Sequence, residues 1–116
     1  METIKILNQE LPIHPGYGTI VLLGERTGMD FEELMDKFMN DDKRSVNNFF
    51  TFLADFTICL VDRGLEESNK EPVKLDKYKV IDWLADGNAN EVIQIFIRCA
   101  PKFVDSKNLP APKEGL

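Results

Sequence analysis

The stretch VNNFFTFLADFTICLVDR, residues 46–63, decides how the rest of the chain must be arranged, and it holds four of the eight phenylalanines. Wound as an α-helix, it spreads its apolar side chains over an arc of about 200°, roughly twice the width that a surface helix requires. The arc is formed by Val46, Phe49, Phe50, Leu53, Phe56 and Leu60, and is widened by Phe52, Cys59 and Val61. Two interpretations follow: a central helix with neighbours on several sides, or a helix that keeps an apolar strip for a partner.

Length and composition indicate one small domain. The chain has 116 residues, of which 43% are hydrophobic and 29% charged, as is ordinary for a globular protein. The net charge of −6 and the scattered basic residues disfavour binding to nucleic acid. No apolar run is long enough to cross a membrane, and the N-terminus lacks a signal-peptide pattern. We interpret Cys59 and Cys99 as reduced core residues of a cytosolic protein, with a disulfide between them as the less favoured alternative.

Short elements precede the central stretch. Alternating apolar residues predict a β-hairpin, with Ile4 and Ile6 on one strand, a tight turn at residues 8–9, and Leu11 and Ile13 on the second strand. A cluster of proline and glycine follows it and marks the start of the first helix.

The next two helices are separated by a glycine stop. Residues 19–27 predict the first helix, which ends at Gly28, and Gly24 inside it predicts the close approach of another backbone. Asp30 begins the second helix, with Glu33 completing a capping box. The apolar face of that helix consists of Phe31, Leu34, Met35, Phe38 and Met39.

The region after the central stretch predicts two further helices. Gly64 is expected to end the central helix, and residues 66–72 to form a loop. Asp76 caps a fourth helix over residues 77–86, which Gly87 ends. Its predicted buried residues are Tyr78, Ile81, Trp83 and Leu84. Asn88 or Asn90 caps a fifth helix over residues 91–100, with a predicted inward face of Val92, Ile93, Phe96, Ile97 and Ala100.

The predicted fold is therefore mainly α: one small helical domain of about five helices with a short N-terminal β-hairpin, over residues 1–104. Residues 105–116 contain two prolines and little to bury, and they predict a flexible tail.

No catalytic, cofactor-binding or metal-binding site is predicted. The only histidine, His14, has no Cys or His at the spacing of a metal site, and no serine has the context of a nucleophile. The acidic residues of the first two helices read as a solvated face near a helix N-terminus rather than as a metal cluster. They are Glu25, Asp30, Glu32, Glu33 and Asp36.

The helices carry more apolar residues than a core requires, and this excess says more about function than the polar residues do. Met and Phe at helical spacing usually pack inside a protein, but they also suit surfaces that accept an apolar segment, because Met adapts its shape. The candidate partner-binding residues are Phe31, Met35, Phe38, Phe52 and Phe56.

Several stretches in order resemble a known family. They are residues 4–8, GYGTIVLLGERTG at 16–28, DFEEL at 30–34 and VIDWLADGNANEVI at 80–93. Their order and spacing, over residues 3–103, are similar to those of the tail assembly chaperones of tailed bacteriophages and prophages. The resemblance implies a binding protein and not an enzyme, acting in the bacterial host cytoplasm. Members of that family keep the tape-measure protein soluble and help to recruit tail-tube subunits.

Other classes of function compete with this interpretation. A helical homo-oligomeric structural or adaptor protein would cover the same apolar surface with a copy of itself. A helical transcriptional regulator is less favoured because the chain is acidic and lacks a basic helix. A small enzyme is the least favoured, since no catalytic pattern is present.

Overall fold

The computed structural model describes residues 2–39 and 46–101, without the side chains of residues 37–39 and 47. The strands are β1 (Thr3–Ile6) and β2 (Gln9–Pro12), and the helices are α1 (Tyr17–Thr27), α2 (Phe31–Met39), α3 (Val46–Glu67), α4 (Lys77–Trp83) and α5 (Ala89–Cys99). The predicted mainly α fold with an N-terminal hairpin is confirmed. The predicted tail, residues 105–116, lies outside the described residues.

The hairpin is antiparallel and pairs Ile4 with Leu11. Its turn is formed by Leu7 and Asn8, one residue earlier than predicted, and their φ angles are 52° and 68°. Two left-handed residues in succession give a turn whose twist matches that of the strands. Ile13 is buried but follows β2, and its backbone N–H donates to the Glu2 carbonyl at 2.9 Å.

Glycine and a capping box form the corner between α1 and α2. Gly28 is left-handed, with φ 77°, and its N–H donates to the Gly24 carbonyl at 2.7 Å. A Cβ on Gly24 would lie 2.6 Å from the Met29 carbonyl oxygen, so the predicted close approach is confirmed. Asp30 Oδ1 accepts from the Glu33 N–H at 2.9 Å, and Glu33 Oε1 accepts from the Asp30 N–H at 3.2 Å. The predicted stop and capping box are both confirmed.

Helix α3 is central and packs against β2, α1, α2, α4 and α5. The prediction that Gly64 ends this helix is wrong, because α3 continues to Glu67. Gly64 is buried where α3 crosses the hairpin, and a Cβ there would overlap the Pro12 carbonyl oxygen and lie 2.6 Å from Ile13 Cα. The glycine therefore allows a helix and a strand end to touch, and the following loop begins later than predicted.

Helix α4 begins as expected and the burial of Leu84 is confirmed, but Val80 is buried in place of Tyr78. Asp76 Oδ1 accepts from the N–H groups of Tyr78 and Lys79 at 2.9 and 3.2 Å, which confirms the cap. Val80 and Leu84 are buried, whereas Tyr78 is 76% exposed, so its predicted burial is wrong. Tyr78 precedes Val80 by two residues, which turns it about 200° away from the core.

One wide turn, Leu84–Asn88, joins α4 to α5 and contains the left-handed Gly87, with φ 104°. Helix α4 therefore ends at Trp83, three residues earlier than predicted. Asn88 stands at the cap position of α5, but its side chain donates to the Trp83 carbonyl at 2.7 Å instead of capping the helix.

The buried face of α5 is rotated from the predicted one. It consists of Val92, Ile95, Phe96 and Cys99. Ile97 is 52% exposed and Ile93 is half-buried, so the prediction is wrong for Ile97. Helix α5 carries apolar residues on several sides, so its sequence allows more than one inward face. The face that packs against α3 is the one whose residues are spaced i, i+3, i+4, i+7.

Candidate partner-binding site

Two of the five predicted partner-binding residues lie inside the core. Phe52 is 7% exposed and Phe56 is fully buried. Both make edge-to-face contacts with Phe96 of α5, at ring-centroid distances of 5.4 and 5.0 Å. In this fold neither ring is accessible to a partner, because α5 covers the wide apolar side of α3. For this part of α3 the central-helix interpretation is the correct one.

The other predicted residues belong to α2. Phe31 and Met35 are half-buried and pack against the edge of the core. The side chain of Phe38 lies outside the described residues. Phe31 also meets Tyr17 of α1 edge-to-face, with the ring centroids 5.7 Å apart. This contact joins the predicted residue to an exposed apolar group that sequence reasoning had not selected.

An apolar cleft, which we call the α1–α2 cleft, opens beside this aromatic pair. Its volume is about 330 Å³, and it is lined by Tyr17, Ile20, Val21, Gly24, Glu25, Gly28, Met29, Asp30 and Phe31. Tyr17 remains 41% exposed and Val21 45% exposed, while Ile20 forms the buried floor. Because Tyr17, Val21 and Glu25 follow one another at four-residue spacing, they form one edge of the cleft along α1.

The rim of the α1–α2 cleft is acidic. Glu25 and Asp30 line it directly, and no described Lys, Arg or His does so. Glu32 and Asp36 lie one position after Phe31 and Met35, so they flank the apolar face of α2. Arg26 of α1 is engaged elsewhere, since its guanidinium donates to Asp62 Oδ2 at 2.7 Å. The cleft thus combines an apolar interior with a negative edge.

A second exposed apolar group lies at the start of α3. Val46 is 70% exposed, and the half-buried rings of Phe49 and Phe50 meet edge-to-face at 5.7 Å. The preceding residues, 40–45, lie outside the described part of the chain. The α1–α2 cleft is the better-bounded site, because its lining lies entirely within the described residues.

His14 has a structural position. Its backbone N–H donates to the Leu60 carbonyl at 3.2 Å, and its carbonyl accepts from the Thr19 hydroxyl at 2.6 Å. These bonds attach the segment between the hairpin and α1 to the central helix. Within residues 2–39 and 46–101, no group of His, Cys, Asp and Glu is arranged to hold a metal ion.

Both cysteines are buried thiols, and no disulfide joins them. Burial raises the pKa of the Cys59 thiol to about 11, although the nearby Arg26 guanidinium acts in the opposite direction. The Arg26 guanidinium lies 3.8 Å from Cys59 Sγ. Cys59 is therefore a protonated core residue at neutral pH.

Cys59 should consequently resist thiol reagents while the protein is folded. In a Cys99→Ser variant, which leaves one thiol, we expect Ellman's reagent at pH 8 to react at least about 100-fold more slowly than with the denatured chain. Because the folded-state pKa lies above the unfolded one, the contribution of this thiol to stability is fully present below about pH 9 and is lost as the pH rises through about 11. Rapid labelling at pH 8 without loss of the folded circular dichroism signal would contradict the buried assignment.

A larger, more polar cavity of about 780 Å³ lies beneath the tip of the hairpin. Its lining residues are Lys5, Leu7, Asn8, Asp82, Trp83, Ala85, Asp86, Asn88 and Glu91. The side chains come from two distant parts of the chain, so no local pattern predicts the cavity. It mixes charges of both signs.

Sequence reasoning missed Tyr17, Val21 and Met29 as parts of the α1–α2 cleft. Val21 lies within the predicted first helix and is 45% exposed. The available signal was the i, i+4 spacing of Tyr17 and Val21, which places both on one face of α1. The shape of the cleft depends further on the close turn at Gly24 and Gly28, which brings Phe31 back to Tyr17.

Among the described residues, no helix combines the length and apolar character needed to cross a membrane. Comparison with family models, curated proteins and solved structures finds no match to this chain.

Proposed function

We propose that this protein is a binding protein of the phage tail assembly chaperone type. It holds the tape-measure protein soluble and helps to recruit tail-tube subunits, and the α1–α2 cleft is the surface that contacts the client. The resemblance of residues 3–103 to that family is one support. The observation that carries the proposal is the exposure of Tyr17 and Val21 beside Phe31 in a bounded apolar cleft.

The physical basis is recognition of a helix by a groove. An apolar helix places side chains at i, i+3 and i+4 into a hydrophobic groove of its partner, and burial of those anchors supplies most of the affinity. A cleft of about 330 Å³ accommodates one or two large side chains rather than a whole helix. The half-buried Met29, which lines the cleft, suits a client whose anchors vary, because Met adapts its packing.

The acidic exterior fits the same role. A net charge of −6 helps to keep the protein and its complex in solution while its apolar surface binds a client. Low affinity for unrelated nucleic acid is expected for the same reason.

Binding to the client should depend on Val21 and not on apolar surface in general. In Val21→Glu, a carboxylate enters the cleft, and we expect affinity for the tape-measure protein from the same genome to fall at least about tenfold. Ile97→Glu is the matched control, since Ile97 is also a half-exposed helical residue, outside the cleft, and the charge change is identical. The measurement is biolayer interferometry with purified tape-measure protein, or a fragment of it that remains soluble.

Circular dichroism and thermal unfolding must first show that both variants fold like the unmodified chain. Absence of binding by the unmodified protein at concentrations on the order of 10 µM would overturn the proposed function. An equal loss of affinity in Val21→Glu and Ile97→Glu would show that the α1–α2 cleft is not the contact surface.

A further inference from the structure

We infer that the segment bound in the α1–α2 cleft is a basic amphipathic helix, in which Lys or Arg side chains flank the apolar anchors; this inference rests on the proposed function and specifies the chemistry of its partner. The argument begins from the charges around the cleft. Glu25 and Asp30 line it, and the exposed Glu32 lies on α2 next to Phe31.

Among the described residues, no cation lines the cleft beside Glu25 and Asp30. Arg26, which lies on the same helix as Glu25, is bound to Asp62 of α3 at 2.7 Å. The lining of the cleft includes no Lys, Arg or His among the described residues. Residues that do carry positive charge near other cavities, such as Lys5 and Lys79, lie on the hairpin and α4 instead.

A negative rim around an apolar interior discriminates between clients of equal hydrophobicity. An apolar anchor flanked by Glu would bring like charges to Glu25 and Asp30 as water is excluded, which is costly. The same anchor flanked by Lys or Arg would gain attraction and would be steered to the cleft. Charge complementarity thus selects one kind of occupant from the apolar helices of a cell.

A second copy of this chain is a poorer occupant for the same reason. Every copy carries a net charge of −6, so the acidic rim of one would face an acidic surface of another. The apolar contact available in one cleft is also small compared with the area that a stable dimer interface requires, about 800 Å² on each partner.

The test uses three synthetic peptides and does not require the tape-measure protein. Each has about 18 residues, long enough to form some helix alone. The first has Leu anchors at i, i+3, i+4 and i+7 with flanking Lys; the second replaces each Lys with Glu; the third keeps the Lys residues but scatters the Leu residues. Affinities are measured by fluorescence anisotropy with labelled peptide at about 50 mM and 500 mM salt.

We expect the Lys-flanked peptide to bind at least about tenfold more tightly than the Glu-flanked peptide at low salt, and the difference to shrink at high salt. The peptide with scattered Leu should bind weakly at both salt concentrations. Glu25→Lys, which reverses one charge on the rim, should reduce the difference in affinity between the Lys-flanked and Glu-flanked peptides. Glu67→Lys is the matched control, because Glu67 is exposed and does not line the cleft.

Equal affinities of the Lys- and Glu-flanked peptides would overturn the inference, and so would an equal response of the Glu25→Lys and Glu67→Lys variants. A stable dimer in sedimentation velocity that Val21→Glu dissociates would also overturn it, by making a second copy the occupant. These failures leave the proposed function standing if the tape-measure protein still binds. If only the proposed function is wrong, the Lys-flanked peptide will still bind selectively, but the tape-measure protein will not bind.

Discussion

Replacing Phe96 with Ala is expected to lower the free energy of unfolding by about 4 kcal/mol. Phe96 is 1% exposed and contacts Phe52 and Phe56 through the edges of their rings, at 5.4 and 5.0 Å. Truncation removes the buried ring, leaves a cavity between α3 and α5, and breaks two aromatic contacts that contribute beyond burial alone. Urea unfolding followed by circular dichroism gives the change directly.

Ile97→Ala is the matched control on the same helix. Ile97 is the next residue and is 52% exposed, so its truncation should change stability by no more than about 0.5 kcal/mol. The pair also tests which face of α5 is buried. Similar losses in the two variants would mean that the helix presents Ile97 inward, as the sequence pattern had predicted, and would contradict the structure.

Gly64→Ala should lower the free energy of unfolding by about 3 kcal/mol, although alanine is the better helix former. The added Cβ would overlap the Pro12 carbonyl oxygen and lie 2.6 Å from Ile13 Cα. Both neighbours are backbone atoms, so they cannot rotate away, and relief requires the hairpin to separate from α3. The hairpin buries Ile4, Ile6 and Leu11, and such a shift would loosen that part of the core.

Gly18→Ala provides the comparison for the Gly64 variant. Gly18 also lies in a helix, but its Cβ would meet only the guanidinium of Arg63, at 3.0 Å. That group is the far end of a flexible side chain, so we expect a change within about 0.5 kcal/mol. A loss of only about 1 kcal/mol in Gly64→Ala would instead fit a glycine at the end of a helix, as the sequence alone suggested.

The rigidity of the candidate site has a local origin. Gly24 allows the chain to return against α1, Gly28 supplies the left-handed stop, and Asp30 and Glu33 cap the start of α2. These short-range contacts position Phe31 against Tyr17 before any partner is present. A cleft formed in advance loses less conformational entropy on binding, which favours recognition by a small surface.

Short-range features were the ones that the sequence predicted well. The capping box at Asp30, the cap at Asp76 and the stop at Gly28 each depend on hydrogen bonds or backbone angles within a few residues. The reduced state of the cysteines also followed from their apolar surroundings. Two local predictions failed as well, the exact position of the hairpin turn and the cap at Asn88. The errors at Gly64 and Ile97 arose because burial there depends on a distant neighbour.

By itself, the sequence determined the class of fold, the order of the elements and some helix ends, such as the stop of α1 at Gly28 and the cap of α4 at Asp76. Hydrophobic periodicity and capping act over one or two turns, and they are therefore visible in the sequence. It also determined that residues 46–63 were too apolar for an ordinary surface helix. Only the tertiary structure decided which apolar residues of the chain stay accessible to solvent. Packing of α5 buried Phe52 and Phe56, while the corner between α1 and α2 left Tyr17 and Val21 exposed. Burial depends on which helices meet, and that is a property of the whole chain rather than of any one segment.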